Sequence, residues 1–266
     1  MAIEVFNRHE CKFLINEGIY EELQNRLLKY MELDEYNKTH ELYTISNIYY
    51  DTEDNHLIRT SLTKPLYKEK LRLRAYGVPS KEEKVYLEIK KKVCGVVNKR
   101  RTKLKLHEAY DFIATGEKPE EKNYMNKQVI NEIQYFLSRY DLEPKLYLAY
   151  DRKALFSKEN RDLRITFDTN IRTRRYDIAL EQGDYGESLL EQGKWIMEVK
   201  AEKTIPLWLS NLLSEYKIFK TSFSKYGKEY EKLIIKERNL RGDMNPCLNQ
   251  YPTAYSAQPQ LVHQYL

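Results

Sequence analysis

The sequence is poor in the residues from which many enzyme signatures are built. Its three cysteines, Cys11, Cys94 and Cys247, share no paired spacing, which argues against a disulfide framework and a cysteine zinc site. Cys11 alternates with charged neighbours, so core packing is its expected role. The chain has only 9 glycines, and none completes Gly-x-x-x-x-Gly-Lys-Ser/Thr, Gly-x-Gly-x-x-Gly or Gly-x-Ser-x-Gly. The five histidines (His9, His40, His56, His107 and His263) are scattered without ligand spacing and read as surface or packing residues. No run approaches the roughly 18 apolar residues of a spanning helix. Met1-Ala2-Ile3-Glu4-Val5 lacks the basic and apolar regions of a signal peptide. A cytoplasmic protein, at most peripheral to a membrane, is expected.

Charge is present in abundance and is unevenly placed. The 266 residues are 41% hydrophobic and 32% charged, enough to fill the core of one large domain or two small ones. Net charge is only +5, yet Lys64 to Lys105 holds 15 Lys or Arg against 4 Glu. Such a concentration implies an acidic partner: phosphate, nucleic acid or an anionic surface.

The densest part is Tyr67-Lys68-Glu69-Lys70-Leu71-Arg72-Leu73-Arg74-Ala75-Tyr76-Gly77. With a strand's period of two, Lys68, Lys70, Arg72 and Arg74 share one face, and Tyr67, Glu69, Leu71, Leu73 and Ala75 the other. The pattern recurs. Arg8, Glu10 and Lys12 oppose His9, Cys11 and Phe13; Tyr86, Glu88, Lys90 and Lys92 oppose Val85, Leu87 and Ile89. Tyr150 and Arg152 share a parity; Arg164, Thr166 and Asp168 oppose Leu163, Ile165 and Phe167; Ile196, Glu198 and Lys200 oppose Trp195, Met197 and Val199.

Helices are expected between these strands. Asn16 is placed to cap one carrying Ile19, Leu23 and Leu27. A short helix with Leu57 and Ile58 follows the turn at Asp51–Asn55, and His107–Ala114 reads as another. Val129, Ile130, Ile133, Phe136 and Leu137 mark a strongly amphipathic one. Pro206 suits the first turn of a helix burying Leu207, Leu209, Leu212 and Leu213. A last helix is expected from near Ser222 toward Glu237. From Gly242 the composition loses periodicity, so residues 1–240 are expected to form one domain and 241–266 a disordered tail. The expected class is α+β: roughly eight antiparallel strands closing into a barrel, with helices packed outside.

A lumen carrying Lys12, Arg72, Arg74, Lys90, Arg152, Arg164 and Lys200 must be wet or filled with counter-charge, because unpaired buried charges cost several kcal/mol each. Glu10, Glu88 and Glu198 balance only part of it. A chain of phosphates would balance the rest through charge-assisted contacts. Carboxylates in such a site suggest a divalent metal bridging to phosphate oxygens, and hence phosphoryl transfer by positioning and charge neutralisation. Lys91, Lys92, Lys99, Arg100 and Arg101 are expected to form a solvated rim, or a mouth that attracts substrate. The 23 tyrosines invite base stacking, but many fall where strands or helices bury them, so core packing is expected. Cations alternating on single strands suit an enclosed phosphate chain better than a duplex, so no nucleic-acid partner is expected.

Taken in order, several segments resemble the VTC domain, the polyphosphate polymerase module within the triphosphate tunnel metalloenzyme (CYTH-like) superfamily. The segments are Arg8-His9-Glu10-Cys11-Lys12-Phe13, Ser46-Asn47-Ile48-Tyr49-Tyr50-Asp51, Lys70 to Gly77, Leu87-Glu88-Ile89-Lys90, Tyr150-Asp151-Arg152, Leu163 to Asp168, Met197-Glu198-Val199-Lys200 and Ser222-Phe223-Ser224-Lys225-Tyr226-Gly227. The resemblance implies an eight-stranded antiparallel tunnel (the triphosphate tunnel fold) that binds triphosphate or polyphosphate. It also implies that Lys12, Arg72, Arg74, Lys90, Arg152, Arg164, Lys200 and Lys225 are the basic phosphate ligands. Tyr150 and Ser224 match hydrogen-bonding neighbours, and Glu198 matches the acid that holds Mn2+ or Mg2+. ATP is the implied donor, and orthophosphate or the end of a growing polyphosphate chain the acceptor. The eukaryotic module is fused to an SPX sensor and membrane helices; this sequence shows neither and resembles the stand-alone bacterial version, with a membrane protein for product export as a further candidate partner. Hydrolytic tunnel enzymes open with Glu-x-Glu-x-Lys, whereas here Arg8 precedes Glu10 and Lys12, which leans toward a polymerase. A metal-dependent tripolyphosphate or nucleoside triphosphate hydrolase of the same fold, and a non-catalytic polyphosphate-binding module, are the alternatives.

Overall fold

The structure, a computed structural model, describes residues 9–240 apart from 95, 160 and 203. Arg8, Cys247 and the expected tail therefore lie outside the described residues. In chain order the strands are β1 (His9–Asn16), β2 (Met31–Leu33), β3 (Tyr43–Asp51), β4 (Tyr67–Tyr76), β5 (Lys84–Val93), β6 (Val96–Lys105), β7 (Glu143–Ser157), β8 (Arg164–Arg174), β9 (Glu187–Ser188), β10 (Lys194–Ala201) and β11 (Lys220–Thr221). The helices are α1 (Glu17–Leu27), α2 (His56–Leu62), α3 (Leu106–Thr115), α4 (Lys127–Leu137), α5 (Leu207–Glu215) and α6 (Lys225–Leu240). One compact unit runs to Tyr230; the second, from Glu231, holds the remainder of α6.

All the strands join one antiparallel sheet in the order β11-β1-β10-β8-β7-β3-β4-β5-β6, with β2 on β7 and β9 on β8. Among the described residues the strands of eight residues or more are β1, β3 to β8, and β10, in keeping with the roughly eight expected. The sheet curves into a tunnel, but among the described residues hydrogen bonds do not close it, which corrects the closed barrel. The reason lies at one edge. The free side of β1 is already taken by β11, with Lys12 opposite Thr221 and Phe13 opposite Lys220, so β6 finds no ladder to join there.

Alternation decides which face is dry. Two apolar cores form on the convex side. Leu71, Leu73, Val85, Leu87, Ile89 and Leu104 pack beneath Phe112 of α3 and Ile133 and Phe136 of α4. Phe13, Ile165, Phe167, Trp195, Met197 and Val199 pack beneath Tyr20 and Leu23 of α1 and Leu209 of α5. Burying a large apolar side chain contributes about 1.5–3 kcal/mol, so the charged faces are left to the concave side by exclusion. Leu207, expected in the core, is 76% exposed: Pro206 is the N-cap, and the first helical residue turns outward.

Local signals hold the helices in place. The side chain of Asn16 accepts the Ile19 N–H, as expected for a cap. Asn126 does the same for α4 through Val129, and Thr102 on β6 accepts the Asn126 N–H. Asp51 is buried and organises a junction. Its oxygens accept the N–H groups of Thr52, Leu57 and Ile58 and the hydroxyl of Tyr226, which joins β3, α2 and the start of α6. Gly227 fits here because a Cβ would stand 3.2 Å from Leu62 Cδ2 and 3.1 Å from Ser224 Cβ. The Tyr50-Asp51 and Tyr226-Gly227 motifs are thus structural fastenings.

Candidate functional site

The concave face assembles the cations of both halves of the sheet. Cross-strand register sets Tyr49, Arg72, Glu88 and Arg101 in one row, and Lys70, Lys90 and Lys99 in another. On the other half, Lys12, Glu198 and Thr166 form a row beside Glu10, Lys200 and Arg164. The halves meet across the lumen. The Lys90 ammonium, lowered by burial among protein atoms, feels Glu10, Lys12 and Lys200 of the far strands while staying open to lumen water.

Two carboxylates lie deep and are heavily shared. Glu88 takes Arg72 Nε at 2.7 Å and Nη2 at 2.6 Å, and Lys99 Nζ at 2.7 Å, with Arg74 Nε at 3.9 Å. Burial opposes its ionisation, but those three cations hold the carboxyl well below its ordinary range. Lys99 has the opposite balance: desolvation and the two arginines outweigh its part of Glu88 and lower it to about 7. Asp168 takes both Nε and Nη2 of Arg152, at 2.6 and 2.9 Å, and Lys225 Nζ at 2.5 Å. Arg152 and Lys225 outweigh its burial and bring Asp168 down to about 2. Arg152 is raised in return, its burial overcome by Asp168.

The remaining expected residues are placed as follows. Arg74 donates to Asn47 Oδ1 at 2.9 Å and to the Tyr150 hydroxyl at 3.2 Å. Lys12 donates to the Phe223 carbonyl at 2.9 Å and stands 3.3 Å from Glu10; Glu198 and Glu10 outweigh its desolvation and raise it. Lys200 pairs with Glu198 at 2.7 Å. Arg164 reaches Asp34 at 3.5 Å and lies over the Phe156 ring. Lys225 stands 4.4 Å from the Tyr150 ring centroid, so the first turn of α6 enters the lumen. The hydroxyl of Ser224 accepts the Gly227 N–H at 3.1 Å and keeps its own proton free to donate. Register gathers Lys12, Glu198, Arg72, Arg74, Glu88 and Lys90 on the concave face.

Lys70, placed on this face by alternation but not among the expected phosphate ligands, is lowered to about 8 chiefly by burial, and Tyr49, which was not foreseen, belongs to the same wall. Burial opposes ionisation of Tyr49, but Arg72, Arg74 and Lys70 bring the phenol down to about 8. The expected rim divides by parity: Lys99 faces Glu88, whereas Arg100 turns to the convex side and pairs with Glu132 of α4 at 3.0 Å. The alternation within Lys99-Arg100-Arg101-Thr102-Lys103 carried that signal.

The carboxylates also bear on a metal. Glu88 is engaged by Arg72 and Lys99, and Asp168 by Arg152 and Lys225. Glu198, held well below its ordinary range by Lys200, Lys12 and Arg152 against its burial, is ionised, and Glu10 lies one ladder step away. Among the described residues no three His, Cys, Asp or Glu converge at metal-binding spacing. This donor set fits a hard divalent ion that takes one or two carboxylates and draws its other oxygens from phosphate. Buried Thr166 Oγ1, opposite Glu198 in the ladder, lacks a hydrogen-bond partner among the described residues, as does Arg164 Nε.

These features define a class: an antiparallel β tunnel, open at its seam, with a cationic lumen and its apolar cores outside. The chain belongs to the VTC domain family, whose model matches residues 7–234. Its fold is similar to that of a candidate adenylate cyclase from Bacillus halodurans, with a TM-score of 0.52 and 14% identity over 84% of this chain and 96% of that one. A candidate adenylate cyclase from Vibrio parahaemolyticus gives 0.45 and 12%, covering 86% and 99% of the two chains. A candidate adenylyl cyclase from Hippeastrum, described as having a dominant triphosphatase activity, gives 0.44 and 15%, covering 82% and 92%. No curated protein matches the sequence. Among the described residues no helix is long and apolar enough to cross a membrane.

Proposed function

We propose that the tunnel is the active site of an ATP-dependent polyphosphate polymerase. The observation that carries this reading is the charge imbalance of the lumen. Arg72, Arg74 and Lys99 share the single carboxylate Glu88, and Arg152 and Lys225 share Asp168, while Lys70 and Lys90 have no carboxylate hydrogen-bonded to them among the described residues. A linear polyanion held along these rows would satisfy the surplus at every step, which a compact anion could not do. Membership of the VTC domain family supports the same substrate class.

In this reading the terminal phosphoryl group of ATP passes to orthophosphate or to the end of a chain. The bond between the β,γ-bridging oxygen and the γ-phosphorus breaks as one from the acceptor oxygen forms, leaving ADP and a chain one phosphate longer. Arg72 and Arg152, held rigid by buried carboxylates, orient equatorial oxygens, and Lys12, Arg74, Lys90, Arg164, Lys200 and Lys225 neutralise the charge. Tyr150 and Ser224 donate hydrogen bonds, and Glu10 and Glu88 keep neighbouring cations in register. Glu198 would hold Mn2+ or Mg2+, which when bound supplies further neutralisation at phosphate oxygens. The protein contributes alignment and fixed charge, and no covalent protein intermediate is required.

The test is incubation of the purified protein with ATP and manganese, products being resolved by gel and phosphorus NMR. Long chains with ADP are expected, and Arg72→Ala should lower their synthesis at least about 100-fold, the scale of losing one electrostatic stabiliser. Orthophosphate without chains would replace the polymerase with a hydrolase of the same fold.

A further inference from the structure

Four tyrosines left unused by the proposed chemistry gather at one end of the tunnel. Tyr43 opens β3, Tyr76 ends β4, Tyr86 lies near the start of β5, and Tyr36 comes from the 3-10 turn Glu35–Lys38. Alternation puts three of them on the lumen face. Tyr76 stands two residues beyond Arg74, roughly 7 Å along the strand, and Tyr86 is the cross-strand partner of Arg74. The rings of Tyr36 and Tyr76 lie parallel to within 2°, with centroids 5.2 Å apart. Tyr43 is 5.3 Å from Tyr36, and Tyr86 meets Tyr76 edge-on at 6.0 Å. Arg101 and Lys103 stand over the Tyr86 ring at 4.6 and 5.7 Å.

Core packing, the expected role of these tyrosines, does not describe them. Tyr36 and Tyr76 remain 51% and 38% exposed, and Arg101 and Lys103 beside them have no carboxylate partner among the described residues. A phosphate chain alone gains nothing from exposed phenol faces. A ligand with a planar base at one end and phosphates at the other uses both: base–aromatic stacking tolerates any base, and the flanking cations favour the phosphate end. The lip is also tied to the lumen. The Tyr43 hydroxyl donates to Asp34 Oδ2 at 3.1 Å, the same oxygen that Arg164 Nη2 approaches at 3.5 Å.

We propose that this tyrosine lip is the base-binding platform for a nucleoside triphosphate donor, whose phosphates run inward past Arg74 and Arg72. The proposal rests on the donor reading of the tunnel given above. Recognition by stacking alone makes the platform permissive: ATP and GTP bind comparably, and inorganic tripolyphosphate bypasses it.

Titration calorimetry on the full chain tests this with ATP and with inorganic tripolyphosphate as separate probes. Tyr76→Ala and Tyr36→Ala should each weaken ATP about tenfold, leave tripolyphosphate within about twofold, and Tyr76→Trp should restore ATP. Unchanged ATP affinity in both alanine variants overturns the platform. So does a parallel loss of both ligands, which marks damage to the tunnel. If the unaltered protein binds tripolyphosphate but not ATP, the platform falls and the cationic tunnel stands; if it binds neither, the donor reading falls with it.

Discussion

Asp168 is the counter-ion on which the deepest cations depend, so its charge is the most informative one to withdraw. Its carboxylate is fully buried and receives two hydrogen bonds from Arg152 and one from Lys225. Asp168→Asn keeps the shape and removes the charge. The amide offers one acceptor oxygen to two cations and turns its NH2 toward one of them. Removing one partner of a buried ion pair costs about 3–5 kcal/mol. In a domain of this size each kcal/mol lowers the Tm by about 2–4 °C, so a fall of about 6–20 °C is expected. The same cations, once released, can take phosphate oxygens instead. Tripolyphosphate should therefore raise the Tm of the variant more than that of the unaltered protein; a tenfold gain in affinity adds about 1.4 kcal/mol. The assay is thermal unfolding followed by circular dichroism at pH 7.5, with and without the anion. A Tm within about 2 °C of the unaltered protein, or equal shifts by the anion in both, would refute the reasoning. Acid gives an internal control. Since Asp168 is lowered from 3.8 to about 2, its contribution of about 2 kcal/mol is present above 3.8 and lost as pH falls through 2, a limb the variant lacks.

Two further outcomes follow from the same geometry. Lys99 and Lys70, lowered to about 7 and 8, are incompletely protonated at mildly alkaline pH, and a bound polyanion raises both. Tripolyphosphate binding at pH 8 should therefore take up protons and weaken as pH rises from 6 to 9, with Lys99→Arg flattening the slope near 7; calorimetry in buffers of different ionisation enthalpy reads this directly, and binding without proton uptake would contradict it. Asp51→Ala removes the acceptor for three backbone N–H groups and the Tyr226 hydroxyl, so urea unfolding should show a loss of about 3 kcal/mol or more, whereas a loss below about 1 kcal/mol would deny Asp51 its role at the junction.

What the sequence determined by itself is the division of each strand into a charged and an apolar face. That division follows from covalent geometry, since successive Cβ atoms point to opposite sides, and it holds wherever the strand lies. Lys70, Arg72 and Arg74, Glu88 and Lys90, and Glu198 and Lys200 could be assigned to one interior on that basis. The Asn16 cap was legible for the same reason: its partner is three residues away. Only the tertiary structure decided which charges neutralise which, because Lys225 meets Asp168 across 57 residues and Lys99 meets Glu88 across the β5–β6 turn. It also decided that β11 occupies the edge of β1 and leaves the tunnel unclosed, and that Leu207 points outward. The tyrosine lip belongs with these. Tyr36, Tyr43, Tyr76 and Tyr86 come from four separate segments, and no local period marks rings that become neighbours only when the sheet curves.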